Sequence, residues 1–351
     1  MADLVIQKIS EDLVGETFNG WKLTEKIAQP DNNTGGNFSV GYYAVGPSGN
    51  NVFVKVMDYY RALVDKDPPR KMQEMTKAYV FEVDLLKLCN DKKMKYIVRI
   101  IDEGTVYIKN QPISFIVLEK ADASARNMID ISRFLDYAWC LRSLHNVAVA
   151  VEGLHKERVA HQDIKPSNVV LFSELKLSKL GDFGRSSKIG VDMPHDEFSN
   201  AGDPNHTAFE LLYNQINPDW EKRRYGCDMF MIGDLIMSYF NNISIVTATL
   251  NKLGRDFYPG IWKGNYDEIC PYITYAFYEA IKEFNEHIPL KLRTELQKLV
   301  IELCNPVVSK RGDTRYSDGR RYSLERYITR LDLLAERHEW ELKRSLLNEQ
   351  Q

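Results

Sequence analysis

Two short polar stretches, each set beside apolar runs, constrain this 351-residue chain more than any other feature. The first is His161-Gln162-Asp163-Ile164-Lys165-Pro166-Ser167-Asn168, which leads into Val169-Val170-Leu171. It puts a carboxylate, a cation two residues on and an amide five residues on into one tight segment. A carboxylate can orient a hydroxyl, a lysine can sit on a phosphoryl oxygen, and an Asn carbonyl can join the oxygen shell of Mg2+. The second stretch, Gly181-Asp182-Phe183-Gly184, follows Leu175, Leu177 and Leu180 and adds another carboxylate suited to a metal. Converging, two such loops make a set for phosphoryl transfer.

Together and in this order, the two stretches resemble the protein-kinase signature, H-R-D-L-x-x-x-N followed by D-F-G. The match holds at every position but two: Gln162 stands where Arg is usual, and Ile164 replaces Leu. The resemblance implies an α+β, bilobal protein-kinase-like fold, with a small antiparallel β-sheet N-lobe carrying one main helix and a larger, mainly helical C-lobe. It divides the chain into an N-terminal extension (1–17), an N-lobe (18–121), a C-lobe (122–322) and a C-terminal helix (323–351) docked on the C-lobe.

Composition narrows the partners. Lys and Arg number 46 against 49 Asp and Glu, a formal charge of -3, so no net field draws the chain to nucleic acid or an anionic membrane. Five cysteines, at 89, 140, 227, 270 and 304, are scattered, odd in number and form no CxxC. That pattern predicts a reduced, cytoplasmic setting and neither a disulfide frame nor a zinc site. No apolar stretch approaches a membrane span, and the acids of the first residues do not read as a signal peptide. Residues 1–17, where Val5 and Ile6 are too few to make a core, read as a short extension. Nothing in the sequence sets an oligomeric state.

From Gly20 to Ile27 the chain has strand character, then passes through a turn-rich segment from Gln29 to Gly36 into a second strand, Asn37 to Ala44. A strand, turn and strand of this kind can fold over phosphates and offer them backbone N–H groups. The family's loop is G-x-G-x-x-G-x-V. With Gly36 as its second glycine, Thr34 takes the first, Ser39 the third, and Gly41 the place of Val. Thr34 and Ser39 carry Cβ atoms, so backbone conformations open to glycine cost more there. The resemblance assigns Thr34, Gly36, Phe38 and Ser39 to the nucleotide.

Asn51 to Met57 sets Lys55 inside an otherwise apolar strand, and a buried cation is costly unless paired. Lys55 therefore faces outward from an edge strand or has an acid partner; the resemblance implies the latter, a lysine on the nucleotide phosphates paired with a helix Glu. The helix follows a polar insertion, Asp65 to Pro69, and spans Lys71 to Cys89. Among Glu74, Glu82 and Asp84, the partner is Glu82, because Leu85-Leu86 and Ile97-Val98 fall behind it as in the family. Two further strands, Ile97 to Ile101 and Ser114 to Leu118, lead to Glu119-Lys120-Ala121. The resemblance makes this the hinge whose backbone holds adenine, with Leu118 guarding the back of the pocket. Asp122 either reaches the ribose or faces solvent.

In the second half, apolar residues from 132 to 156 recur at three and four and predict a long helix. His155 and His161 read as structural. Polar residues from Arg185 to Asn200 resemble an activation segment closing at Ala208-Phe209-Glu210, in place of A-P-E. The resemblance makes Asp228 the helix acid that anchors the catalytic loop, suits Gly233 to close packing, and pairs Arg311 with Glu210. A charged helix, 323–347, turns Tyr327, Ile328, Leu331, Leu334 and Trp340 to one side.

For function, the resemblance implies ATP and Mg2+, with Asn168 and Asp182 on the metal. Asp163 accepts the proton of the acceptor hydroxyl, Lys165 stabilises charge on the γ-phosphoryl group, and Lys55, held by Glu82, fixes the α/β-phosphates. Lys165 two residues after the base favours Ser/Thr acceptors on proteins. Gln162 removes the cation that usually receives an activation-segment phosphate, which predicts activity independent of that phosphorylation. Asp203, where a Thr often contacts base and lysine, is read as a partner of Lys165. Two alternatives stay open: a small-molecule kinase of the aminoglycoside type, which shares HxDxxxxN, and a non-catalytic nucleotide-binding scaffold, raised by the altered glycine loop. Phe183-Gly184, Lys165, Ala208-Phe209-Glu210 and Asp228 favour the protein-kinase branch.

Overall fold

Alternation makes the first unit. In Asn51–Met57, Val52, Val54 and Val56 are fully buried while Phe53 and Lys55 point to the other face, the period of a strand with one side on a core. The structure is a computed structural model that describes residues 8–28, 39–131, 136–198 and 200–349. It separates into two compact units, Met1–Ala121 and Asp122–Gln351.

In the first unit a six-stranded sheet runs in the spatial order Thr17–Phe18, Trp21–Lys26, Ser39–Val45, Asn51–Met57, Gln111–Glu119, Ile100–Ile108. Each neighbouring pair is antiparallel, and the register sets Lys55 between Gly41 and Ile116. Read from the sequence, residues 1–17 are an extension; in the structure Ile9 and Leu13 are buried in the sheet's core beside Phe18. The Tyr42 hydroxyl donates to the Ser10 carbonyl at 2.7 Å, and Ser10 Oγ donates to Asp58 at 2.7 Å. These anchors reach Tyr42 and Asp58, far along the chain, so the local sequence does not show the packing.

The unit's long helix also begins earlier than its apolar stripe. It spans Pro68–Asp91, because Asp67 caps it by accepting the Arg70 N–H and Pro68 takes the first position, where a missing N–H loses nothing. Met75, Tyr79, Glu82, Val83 and Leu86 form its buried face.

The second unit is mainly helical. Its centre is Trp220–Asn241, buried continuously from Arg224 to Phe240, as expected of a helix surrounded by core. Gly233 lets the helix Leu290–Cys304 come close: a Cβ there would lie 2.4 Å from Cys304 Sγ and 2.8 Å from Leu303 Cβ. The helix expected from 132 spans Tyr137–Lys156, N-capped by Asp136; residues 132–135 lie outside the described residues. Against it packs Glu325–Glu349, held by Arg142 to Asp332 at 2.6 Å and to Glu339 at 2.7 Å. A hairpin, Val169–Phe172 with Leu177–Leu180, places Asn168 and Gly181 side by side at its open end. No helix among the described residues is long and apolar enough to cross a membrane.

Candidate active site

Lys55 projects from the strand face opposite the core, where its ammonium meets a carboxylate. Its Nζ donates to both oxygens of Glu82, at 2.7 and 2.9 Å, with the side chains 15% and 6% exposed. The acid meets the cation, so neither is buried alone. Of the other two acids considered for this role, Glu74 bonds Arg70 and Lys71, and Asp84 is exposed. Opposite Lys55 in the register, Gly41 leaves room for the Phe53 ring, which a Cβ would approach to 3.0 Å. Leu118 is buried, Glu119 accepts the Arg99 N–H on its carboxylate at 2.8 Å, and Ala121 ends the unit. Ser39 opens a strand opposite Met57. Thr34, Gly36 and Phe38 lie outside the described residues.

The second unit builds its site on Asp228, which is fully buried. One of its oxygens accepts the His161 N–H at 2.8 Å and the His155 ring at 2.9 Å; the other accepts the Gln162 N–H at 2.7 Å. These bonds hold the loop through a left-handed Gln162, φ 63°, a conformation that L-residues adopt only when the surroundings hold them there. His161 Nε2 donates to the Gly181 carbonyl at 3.1 Å and its Nδ1 accepts the Asp163 N–H at 3.3 Å, so the ring serves as a brace between the two loops. Phe183 packs its ring against His161 at 5.1 Å.

Asp163 is oriented by two hydrogen-bond donors and one cation. Its Oδ2 accepts Asn168 Nδ2 at 2.9 Å and lies 3.1 Å from Lys165 Nζ, while Oδ1 accepts the Asp203 N–H at 2.9 Å. A carboxylate oxygen carries two lone pairs. Among the described residues, then, each oxygen accepts one hydrogen bond, the Lys165 charge lies on the Oδ2 side, and Oδ1 keeps one lone pair. Lys165 also lies 3.5 Å from the Asp203 carboxylate, so two acids share one cation. Gly202 fits where no side chain could: a Cβ would stand 2.1 Å from the Gln162 carbonyl oxygen and 2.9 Å from Asp163 Oδ1.

The hairpin register brings Asp182 near Asn168, with the Gly181 N–H donating to the Asn168 carbonyl at 2.9 Å and Asp182 in the left-handed region, φ 59°. Asn168 spends its amide nitrogen on the Asp163 carbonyl and carboxylate. Its side-chain oxygen and the Asp182 carboxylate are hard oxygen donors carried by these two loops, a set that suits Mg2+. Among the described residues no group of three or more His, Cys, Asp or Glu could hold a metal. A divalent ion held by so few protein ligands takes its remaining oxygens from phosphate and water, the usual habit of Mg2+.

Around this centre, Arg311 is fully buried and forms two parallel bonds with Glu210, both 2.7 Å. Burial opposes its charge, but the Glu210 carboxylate outweighs burial and holds the guanidinium above its usual range. Asp122 caps the turn after Val169–Phe172 by accepting the Glu174 N–H at 3.0 Å, and is committed there. Several of these contacts are absent from the sequence reading: Gly202, the His206–Asp234 bond at 2.6 Å, and the pairing of Arg224 with Asp196 at 3.1 Å. For the last two pairs one signal exists, since Arg224 and Asp234 are charges in or beside the apolar run that contains Asp228.

The family model described as "Protein kinase domain" matches residues 35–315. The chain is similar to the calcium/calmodulin-dependent protein kinase kinase of Caenorhabditis elegans, 24% identical over 251 residues, covering 67% of this chain and 43% of that protein. It is similar to the hormonally up-regulated neu tumor-associated kinase of Mus musculus, 25% identical over 305 residues, covering 82% of this chain and 37% of that one. Serine/threonine-protein kinase nekl-2 of Caenorhabditis elegans is 26% identical over 113 residues, 31% of this chain and 29% of that protein. The chain thus spans less than half the length of each of these relatives.

Proposed function

Because the chain belongs to the protein kinase family, we propose that it transfers the γ-phosphoryl group of ATP to serine and threonine hydroxyls of protein substrates. The single observation that carries this reading is the arrangement of Asp163, whose two oxygens are held by Asn168, Lys165 and Asp203 with one lone pair left on Oδ1. That lone pair takes the acceptor hydroxyl's proton. Lys165 moves its charge from the two carboxylates to the γ-phosphoryl oxygens, and Lys55, kept in place by Glu82, holds the α- and β-phosphates. Asn168 and Asp182 hold Mg2+, which when bound offsets the phosphate charge. The backbone of Glu119 to Ala121 takes adenine in front of Leu118, and Ser39 lies with the phosphate loop. Positioning and fixed electrostatics supply most of the rate in chemistry of this kind.

Lysine two residues after the base supports Ser/Thr acceptors, and one relative is named a serine/threonine-protein kinase. Activity does not wait on activation-segment phosphorylation: the side chain of Gln162 is a neutral amide that binds the Arg185 carbonyl and the Ser187 hydroxyl directly. Five free thiols fit a reducing compartment such as the cytoplasm. The test is acceptor identity. Labelled ATP with Mg2+ is offered with generic protein, with the chain alone and with small polyhydroxyl amines, followed by acid hydrolysis and separation of phosphoamino acids. Label on phosphoserine and phosphothreonine is expected. Label confined to the small compounds, or on phosphotyrosine alone, would overturn the assignment.

A further inference from the structure

One helix carries both anchors of the site. Arg224 and Asp228 lie four residues apart on Trp220–Asn241, and both are fully buried. Residues at this spacing share a helix face. Asp228 holds the catalytic loop, whereas Arg224 has no part in the chemistry described above. A buried guanidinium persists only with an acid beside it, and among the described residues that acid is Asp196 of the activation segment. Arg224 Nη2 donates to Asp196 Oδ1 at 3.1 Å and to its carbonyl at 3.2 Å.

The bonds continue toward the catalytic base. Asp196 accepts the Ser187 hydroxyl proton on Oδ1 and the Met193 N–H on Oδ2. Ser187 Oγ in turn accepts Gln162 Nε2 at 2.5 Å, and the same amide nitrogen donates to the Arg185 carbonyl at 3.0 Å. A hydroxyl donates once and accepts twice, so the direction is fixed: Gln162 amide to Ser187 hydroxyl to Asp196 carboxylate, with Arg224 donating from the other side. Ser187 is fully buried. The Asp196 carboxylate and the Arg224 guanidinium pair, and the neutral Gln162 amide is linked to that pair through Ser187 without adding charge.

We propose that Asp196 is the chain's own anion for its activation segment: its carboxylate, pinned by Arg224 and linked through Ser187 to Gln162, ties the segment to the loop that carries Asp163. Asp196, Arg224 and Ser187 are positioning residues, and the inference rests on the protein kinase reading above.

The test compares the full-length wild type, Asp196→Asn, Asp196→Glu and Ser187→Ala by kcat, KM for ATP and trypsin cleavage after Arg185 and Lys188. A slackened segment lets the base shift by a fraction of an ångström or more, so Asp196→Asn is expected to lower kcat about ten-fold or more with KM for ATP little changed. The same variant should become trypsin-sensitive at those two residues, and Asp196→Glu should restore part of both. Ser187→Ala leaves the Arg224–Asp196 pair intact and removes only the link, so it decides the matter should Asp196→Asn not fold; it should lower kcat in the same direction. Wild type stripped by phosphatase should keep its rate. Unchanged trypsin protection in folded Asp196→Asn or in Ser187→Ala, or a wild-type rate that collapses on phosphatase treatment, would overturn the inference. Protection is read without any transferase activity, so a chain with a tethered segment but no phosphoryl transfer contradicts the kinase reading alone.

Discussion

Replacing Gly202 with alanine tests how closely the activation segment sets the base. The backbone at 202 is outside the left-handed region, so alanine is conformationally admissible there and space alone decides. The new Cβ would stand 2.1 Å from the Gln162 carbonyl oxygen and 3.2 Å from Asp163 Cα. Both are backbone atoms and neither can swing aside. Ordinary contact begins at about 3.4 Å, so loop and segment must part by roughly 1 Å. The adjacent Asp203 N–H, now 2.9 Å from Asp163 Oδ1, would then pass out of hydrogen-bonding range. A misplacement of about 1 Å costs on the order of a hundred-fold in rate, or about 2.7 kcal/mol of transition-state stabilisation. Overpacking removes about 1 to 3 kcal/mol of stability as well. Steady-state kinetics at saturating ATP, with a thermal melt on the same sample, should show kcat down about a hundred-fold while a cooperative transition persists. A folded Gly202→Ala protein turning over within two-fold of wild type, a limit of about 0.4 kcal/mol, would refute the reasoning.

Other changes have equally definite outcomes. Lys55→Met should strand the Glu82 carboxylate and lower kcat/KM for ATP by roughly a hundred-fold or more, measured by initial rates across ATP concentration. Glu210→Gln takes the charge from the partner of a fully buried arginine and should remove about 3 to 5 kcal/mol, read as a lower urea midpoint. Two histidines give stability opposite pH slopes. Burial pulls His206 down, but the charge and hydrogen bond of Asp234 outweigh it and leave its value raised; its contribution is complete below the unfolded value, near 6.5, and fades as pH rises through the folded one. Burial lowers His195, so its contribution is complete above the unfolded value and fades as pH falls through the folded one. Unfolding free energies from pH 5 to 8 should therefore flatten on the alkaline side in His206→Asn and on the acid side in His195→Gln.

What the sequence carries and what it hides follow from the range of each interaction. Lys55 is legible because a cation inside Asn51–Met57 demands a partner, and the helix one insertion later offers acids; Glu82 is the one that meets it. Asp228 is legible as the acid inside the apolar run from Tyr225 to Gly233, and Arg311 with Glu210 through the family resemblance. Ile9 and Leu13 are not, since the strands that bury them lie far along the chain and nothing local names them. Asp67-Pro68-Pro69 looks like a loop insertion, yet it is a helix cap followed by the residue best tolerated at a first turn. Gly202 and Asp196 act through contacts 28 to 40 residues away, and no local pattern encodes distance of that kind.

Phosphoryl transfer itself is tested most directly by following label from the γ-position of ATP, with Mg2+ present, onto a protein acceptor for wild type, Asp163→Ala and Asp182→Ala. Wild type should label the acceptor, and each variant should fall by about a hundred-fold or more. Equal labelling by wild type and Asp163→Ala would contradict the account.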